Sequence, residues 1–366
     1  MQEIIELRRE LHKTPELGYK EFKTAKLISD YLKGLGVSVT EGVAKTGVVG
    51  FLDNGSERTL LFRADMDALP IHEENQVEYK SQIPGVMHAC GHDVHMAIIL
   101  GAARELMRRR NELNCNVKFV FQPAEEGIGG ALPMIEQGVL ENPMVDAALA
   151  LHVWPDAEVG SIMLKKGGVM ASPDEFELTI IGKGGHAAKP DDFLSPIETG
   201  AEFVVALKDV DVGEPLVLTV TRFSAGQNFN VVPDTAEIKG TFRTLSDEAR
   251  KMAAKEIERV VKEVTLKYGV DYEMNLKFMY PPLINNPEII DSVAKIAPKV
   301  VDMQKSEMTG EDFAYFAQKV PSAMILIGCA NLEKGIQASL HSATFDVDEA
   351  CIPVGVNLLV DFAISY

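Results

Sequence analysis

At 366 residues the chain exceeds the size at which one hydrophobic core keeps growing, about 250–300 residues, so more than one domain is expected. Apolar residues make up 46% and charged residues 25%, the balance of an ordinary globular protein rather than a disordered or fibrous one. A formal net charge of −18 argues against nucleic acid or an anionic membrane as the main partner, while a local Arg still leaves room for a small anionic ligand.

The first 36 residues read as amphipathic helix, interrupted near Thr14-Pro15 and ending at Gly34-Leu35-Gly36. Their opening run, Met-Gln-Glu-Ile-Ile-Glu, has no signal-peptide core. A strand over 46–52, a turn at Asn54-Gly55 and an apolar strand over 59–63 follow. Residues 92–108 have helical spacing, and 116–121 and 145–153 read as buried strands. Alternating strands and helices imply an α/β domain with a largely parallel sheet. The longest apolar stretches, such as 147–151, are far too short to span a bilayer.

Near residue 172 the pattern changes. A half-exposed strand (175–182), a helix (195–210), two β-rich runs (215–223 and 235–243), a charged helix (247–268) and a last strand (271–277) make one βαββαβ α+β module. Tyr280-Pro281-Pro282 reads as a linker, after which the α/β style resumes with a helix, a strand at 324–328 and a C-terminal helix. The expected organisation is a larger domain from residues 1–172 and 286–366, interrupted by an inserted domain at 173–285. Four Cys, at 90, 115, 329 and 351, lack a scaffold spacing and point to a reducing cytoplasm.

Of eight His, three fall in the run Met87-His88-Ala89-Cys90-Gly91-His92-Asp93-Val94-His95. Cys90 and His92 offer thiolate and imidazole to a divalent metal, and Gly91 permits a tight turn between them. A lone Cys-x-His is more often a buried Cys beside a surface His; the density of ligand types here favours metal. The apolar run Phe119-Val120-Phe121 ends at Gln122-Pro123-Ala124-Glu125-Glu126, two adjacent carboxylates that point different ways at a strand end. A solvated acidic turn is the plain alternative. His152 and His341 each follow or enter a candidate strand-end loop, where open α/β sheets place their sites, although either alone would as readily be structural. Arg63-Ala64-Asp65-Met66-Asp67 supplies acids suited to orienting a metal ligand, or to capping a turn.

Together with Gly184-Gly185-His186-Ala187-Ala188, Asn230-Val231-Val232-Pro233 and Thr309-Gly310-Glu311-Asp312-Phe313, these runs resemble one family in its own order along nearly the whole chain. It is the dinuclear-metal amidohydrolases that include hippurate hydrolases, indole-acetyl-amino-acid hydrolases, N-acetyldiaminopimelate deacetylases and some carboxypeptidases. The resemblance implies two divalent ions (Zn, Mn, Ni or Co), with Cys90, His92 and His152 serving one, Glu126 and His341 the other, and one ligand bridging. It implies Glu125 as general base and Asp65 as the orienting acid. Arg63 stands where more distant relatives carry a metal-binding His, a role Cys90 and His92 would take over. His186 would stabilise the oxyanion, Asn230 and Arg243 would hold the substrate's carboxylate, and Gly310 would let substrate approach the backbone. In relatives the His and Asn come from a neighbouring subunit, so a homodimer is implied. The implied substrate is a small N-acylated amino acid or peptide. The stretch from Phe121 to Ala131 is similar to the N-acetyldiaminopimelate deacetylases, whereas Leu340-His341-Ser342-Ala343-Thr344-Phe345 suits broad N-acyl-amino-acid hydrolases. Two competitors are weaker. A cysteine hydrolase using Cys90 leaves Glu125, Glu126 and His341 unexplained, and a metal-dependent amino-acid-binding protein would not need an intact base.

Overall fold

The computed structural model describes residues 1–366. The chain divides into two compact units. The larger comprises Met1–Gly167, Asn285–Gln304 and Tyr315–Tyr366, and the smaller Gly168–Ile284 with Lys305–Ala314.

The larger unit is built on an eight-stranded sheet in the order Ser38–Val43, Gly47–Leu52, Asn116–Gln122, Thr59–Asp65, Ala147–Glu158, Ser322–Ala330, Ile162–Leu164 and Val300–Asp302. Its four central strands run parallel to one another, and the Ser38–Val43/Gly47–Leu52 hairpin joins them antiparallel. Every residue of Thr59–Asp65, Asn116–Gln122 and Ser322–Ala330 is buried, which is why these strands read as continuous apolar runs rather than alternating ones. The strand Ser38–Val43 lacks that signal because it is an edge with mostly exposed residues. Three-residue strands such as Ile162–Leu164 are too short to show a period.

The helix His92–Arg108 is buried continuously from His92 to Ala103. It crosses the C-terminal helix Cys351–Ser365 closely: a Cβ on Gly101 would stand 2.6 Å from Val356, and one on Gly355 2.7 Å from Ile98. Each large apolar side chain fully buried in such a core contributes roughly 1.5–3 kcal/mol. The first helix, Gln2–Lys13, turns an unusual stripe inward: Ile4, Arg8, Leu11 and His12. Its two polar members meet Asp93, the second residue of the buried helix. Arg8 Nε lies 2.7 Å and His12 Nδ1 2.8 Å from the same Asp93 oxygen. Glu73 faces His12 Nε2 at 3.3 Å, and the Arg8 guanidinium lies over the Tyr79 ring at 4.7 Å.

The smaller unit carries a four-stranded antiparallel sheet in the order Val217–Ala225, Thr235–Arg243, Asp174–Ile181, Asp271–Lys277. With the helices Pro196–Ala206 and Asp247–Tyr268 this is the βαββαβ module expected. Phe176, Leu178 and Ile180 alternate onto the helix-covered face, and Ile257, Val260, Val261 and Val264 answer them from the long helix. That helix opens on Ser246, whose Oγ accepts from the Ala249 N–H, and closes on Gly269 in the left-handed region, so its bounds were readable. The segment Lys305–Ala314, read from sequence as part of the larger domain, packs into this unit instead. Met170 bridges Glu307 and the Ala171 N–H donates to the Thr309 carbonyl. No helix of the chain is long and apolar enough to cross a membrane.

Candidate metal centre

Four separate stretches of the larger unit converge at the carboxyl ends of its parallel strands. Asp65 ends Thr59–Asp65, the Glu125-Glu126 turn follows Asn116–Gln122, Cys90 and His92 open the buried helix, and His341 comes from the last loop. His152 departs from its expected strand-end position: it lies inside Ala147–Glu158. Pairing with the neighbouring Thr59–Asp65 stops at Ala150, so beyond that point the strand edge is open to the Cys90 loop. Gly91, with φ of +83°, makes the turn between the two candidate ligands, and a Cβ there would fall 2.3 Å from Val153.

Ligand atoms of Cys90, His92 and His152 lie within 4.8 Å of one another, as do those of Cys90, Glu126 and His341 and those of His92, Glu125 and Glu126. Cys90 Sγ is 3.5 Å from His152 Nε2, and His341 Nε2 is 3.2 Å from Glu126 Oε1. His341 sits in the left-handed region at φ +61°, its N–H donating to the Ala89 carbonyl, so the last loop is tied directly to the Cys90 loop.

The imidazoles are held in one tautomer by the main chain. His92 Nδ1–H donates to the Asp67 carbonyl at 2.8 Å, and His152 Nδ1–H to the Val153 carbonyl at 2.7 Å. Each therefore leaves Nε2 as the position at which a metal can take the place of a proton, the arrangement a metal ligand needs. His92 Nε2 is buried with no hydrogen-bond partner. A buried, unsatisfied nitrogen costs about 1–3 kcal/mol, so this one fits a position that meets a cation.

Electrostatics agree. Burial lowers His92, but Asp65, Asp67 and Glu126 outweigh it and bring its pKa to about 10. Burial, with Glu126, Glu125 and Asp65 adding to it, pushes the Cys90 thiol well above its usual range. Burial, with His95 and His92 adding to it and outweighing Asp65, pushes His152 down to about 3. The pocket is thus short of positive charge, and the donor set of thiolate, imidazole and carboxylate fits divalent first-row metals.

A family model described as peptidase family M20/M25/M40 matches residues 61–365. The chain belongs to that family. A thermostable carboxypeptidase of Saccharolobus solfataricus is 39% identical, over 96% of this chain and 92% of its own length. An IAA-amino acid hydrolase of Arabidopsis thaliana is 38% identical, over 99% of this chain and 85% of its own. Among solved structures, a dinuclear metal binding peptidase of the M20 family from Bacillus subtilis superposes with a TM-score of 0.90 at 33% identity, covering 100% of this chain and 97% of that one. This M20 chain is accordingly a metal-dependent hydrolase of amide bonds.

Asp65 sits behind the candidate ligands. It accepts from Arg63 Nη1 at 2.8 Å and from His95 Nδ1 at 2.7 Å, and its second oxygen lies 3.7 Å from His92 Nε2. Burial opposes its charge, but His92, His95 and Arg63 hold its carboxyl well below the usual range. His95, present in the histidine-rich run but given no role from sequence, accepts from the Val153 N–H through Nε2. With both ring nitrogens engaged it supports the site without offering a lone pair. Arg63 is buried, its Nε donating to Gln122.

The remaining sequence candidates lie in the smaller unit. His186 and Asn230 come together there: His186 pairs with Val231, and the Ala187 N–H donates to the Asn230 carbonyl. The His186 ring is exposed, its Nδ1 accepting from the Ala188 N–H. Arg243 ends its strand and gives one donor to the Met308 carbonyl at 2.8 Å. Gly310 has a packing reason to be glycine, since a Cβ would stand 2.7 Å from Pro173.

Proposed function

We propose that the chain hydrolyses the amide of small N-acylated amino acids, releasing a carboxylic acid and an amino acid, with two divalent ions held by Cys90, His92, His152, Glu126 and His341. The observation that carries this reading is the convergence of those five donors, two of them with tautomers locked by main-chain carbonyls, beside the second carboxylate of the same turn. When bound, a pair of divalent ions acidifies an attacking water from a pKa of 15.7 towards about 7 and polarises the carbonyl it attacks. Glu125 accepts the water's proton and returns it to the departing amine. Asp65 keeps its negative charge behind the imidazoles. His186 donates to the developing oxyanion, and Asn230 and Arg243 hold the free carboxylate, Arg243 through the two parallel donors of its guanidinium. By the family resemblance His186 and Asn230 are contributed by a second copy, making the enzyme a homodimer. Four free, buried cysteines support a reducing compartment such as the cytoplasm.

The name of the Arabidopsis relative supports an N-acyl amino acid as substrate, and that of the Saccharolobus relative supports a peptide. The test is hydrolysis by chelated protein before and after addition of Zn, Mn, Ni or Co. The panel holds N-acetyl, N-benzoyl and indole-acetyl amino acids, N-acetyldiaminopimelate and simple peptides. Metal-restored cleavage of the acyl amino acids is expected. Cleavage confined to peptides would replace this reading with a carboxypeptidase, and cleavage confined to N-acetyldiaminopimelate would narrow it to a deacetylase of that one compound.

A further inference from the structure

Glu125 and Glu126 stand on a turn whose backbone is braced by two buried carboxylates from elsewhere in the chain. Three successive N–H groups are taken up. The Ala124 N–H donates to Glu21 Oε1 at 2.9 Å, the Glu125 N–H to Asp67 Oδ1 at 3.0 Å and the Glu126 N–H to Asp67 Oδ2 at 3.0 Å. Consecutive N–H groups aimed one way form an anion-binding concavity, and here the protein itself supplies the anions. The turn needs such a brace. Ala124 adopts φ +55°, a left-handed conformation that costs a residue with a Cβ about 1–2 kcal/mol. Glu21 is fixed in turn by the Thr46 hydroxyl, which donates to its Oε2 at 2.6 Å. Gly18 closes over the turn, where a Cβ would lie 3.1 Å from Ala124. Asp67 has a second attachment: its main-chain carbonyl is the acceptor that locks His92. One residue therefore sets the directions of a candidate ligand on the helix and of both carboxylates on the turn.

We infer that Asp67 and Glu21 are positioning residues for the hydrolysis, aiming Glu125 and Glu126 through the backbone of their turn. The inference rests on the proposed roles of those two glutamates. Asp67→Asn weakens the brace, because one acceptor becomes an N–H₂ facing an N–H; the carbonyl that holds His92 is unchanged, but the charge 3.5 Å from His92 Nδ1 is also removed. Glu21→Met removes the acceptor at Ala124 and touches no candidate ligand; Gln would not serve, because its oxygen could still face the Ala124 N–H while its N–H₂ donates to the Thr46 hydroxyl. In metal-reconstituted enzyme each variant is expected to lower kcat by about 10- to 100-fold, with KM within about twofold and metal content unchanged. The acidic limb of the kcat/KM profile, which reports the base, is expected to move. With cobalt in the site, the visible absorption bands should shift in Asp67→Asn as Glu126 is re-aimed. Wild-type kcat, pH limb and cobalt spectrum in both folded variants would overturn the inference, as would activity lost only in step with metal or with melting temperature. If Asp67→Asn does not accumulate, Glu21→Met carries the same measurements. A wild-type protein that binds cobalt yet cleaves nothing would defeat the functional reading alone, leaving the spectrum to decide the brace.

Discussion

Glu125→Gln is expected to reduce kcat by about 10²–10⁴-fold, the usual contribution of a positioned general base, while the protein keeps its metal. The carboxylate is placed for this by its neighbours: its own N–H is held by Asp67, and its oxygens share a 4.8 Å cluster with His92 and Glu126. Adjacent side chains on a tight turn diverge, so Glu126 can meet His341 while Glu125 points another way. The amide of Gln preserves shape and removes the basic oxygen, which separates chemistry from binding. Kinetics on metal-loaded enzyme and metal analysis of the same preparation check it. Loss of an ion along with turnover would move Glu125 into the ligand set.

Asp93→Ala is expected to destabilise the chain by about 3–5 kcal/mol, the cost of leaving buried charges without their partner. For a unit of this size that corresponds to a melting temperature lower by roughly 6–20 °C. Arg8 and His12 would both lose the oxygen they share at 2.7 and 2.8 Å, inside a region that water does not reach. The cluster also has a pH signature. Burial lowers His12, but Asp93 and the hydrogen bonds to Asp93 and Glu73 prevail over burial and Arg8, leaving its pKa raised; Tyr79 and His88 pack against the same ring. A raised histidine contributes stability that is complete below its unfolded value of about 6.5 and is lost as pH rises through its folded value. Urea midpoints of wild type should therefore fall as pH rises above about 6.5, and His12→Gln should flatten that slope.

Much of the fold was legible because its signals are local. The helix 92–108 and the strand 235–243 were bounded correctly by apolar spacing and flanking residues, and the capped helix 247–268 likewise. The candidate ligands were legible for a different reason: Cys, His and paired Glu are sparse residues with few ordinary uses at strand ends. What could not be read is whatever depends on distant pairing. His152 lies within a strand because Ala147–Glu158 stays paired with Ser322–Ala330 beyond it, a register fact with no local trace. Residues 305–314 join the smaller unit through contacts to residues 168–171 and to Arg243. Asp67 was visible as one acid of a pair, but that its carboxylate would hold the Glu125-Glu126 turn was not. Glu21, one acid among the many charges around the second helix, gave no sign of being buried against Ala124.

The order of strands in the large sheet bears on how the chain comes to be folded during synthesis. Ser322–Ala330 lies between Ala147–Glu158 and Ile162–Leu164, so the middle of that sheet waits on residues made near the end of translation. The βαββαβ strands and helices all fall within Gly168–Ile284 and are free to condense earlier. Until Ser322–Ala330 arrives, Ala147–Glu158 leaves the ribosome with one apolar edge unpaired, a surface that recruits other strands and chaperones. The same late segment brings His341. A ribosome-stalled chain ending at Pro321 would therefore expose that edge and lack one of the five candidate ligands, so protease resistance of the large unit and metal uptake should appear together, after the last strand has emerged.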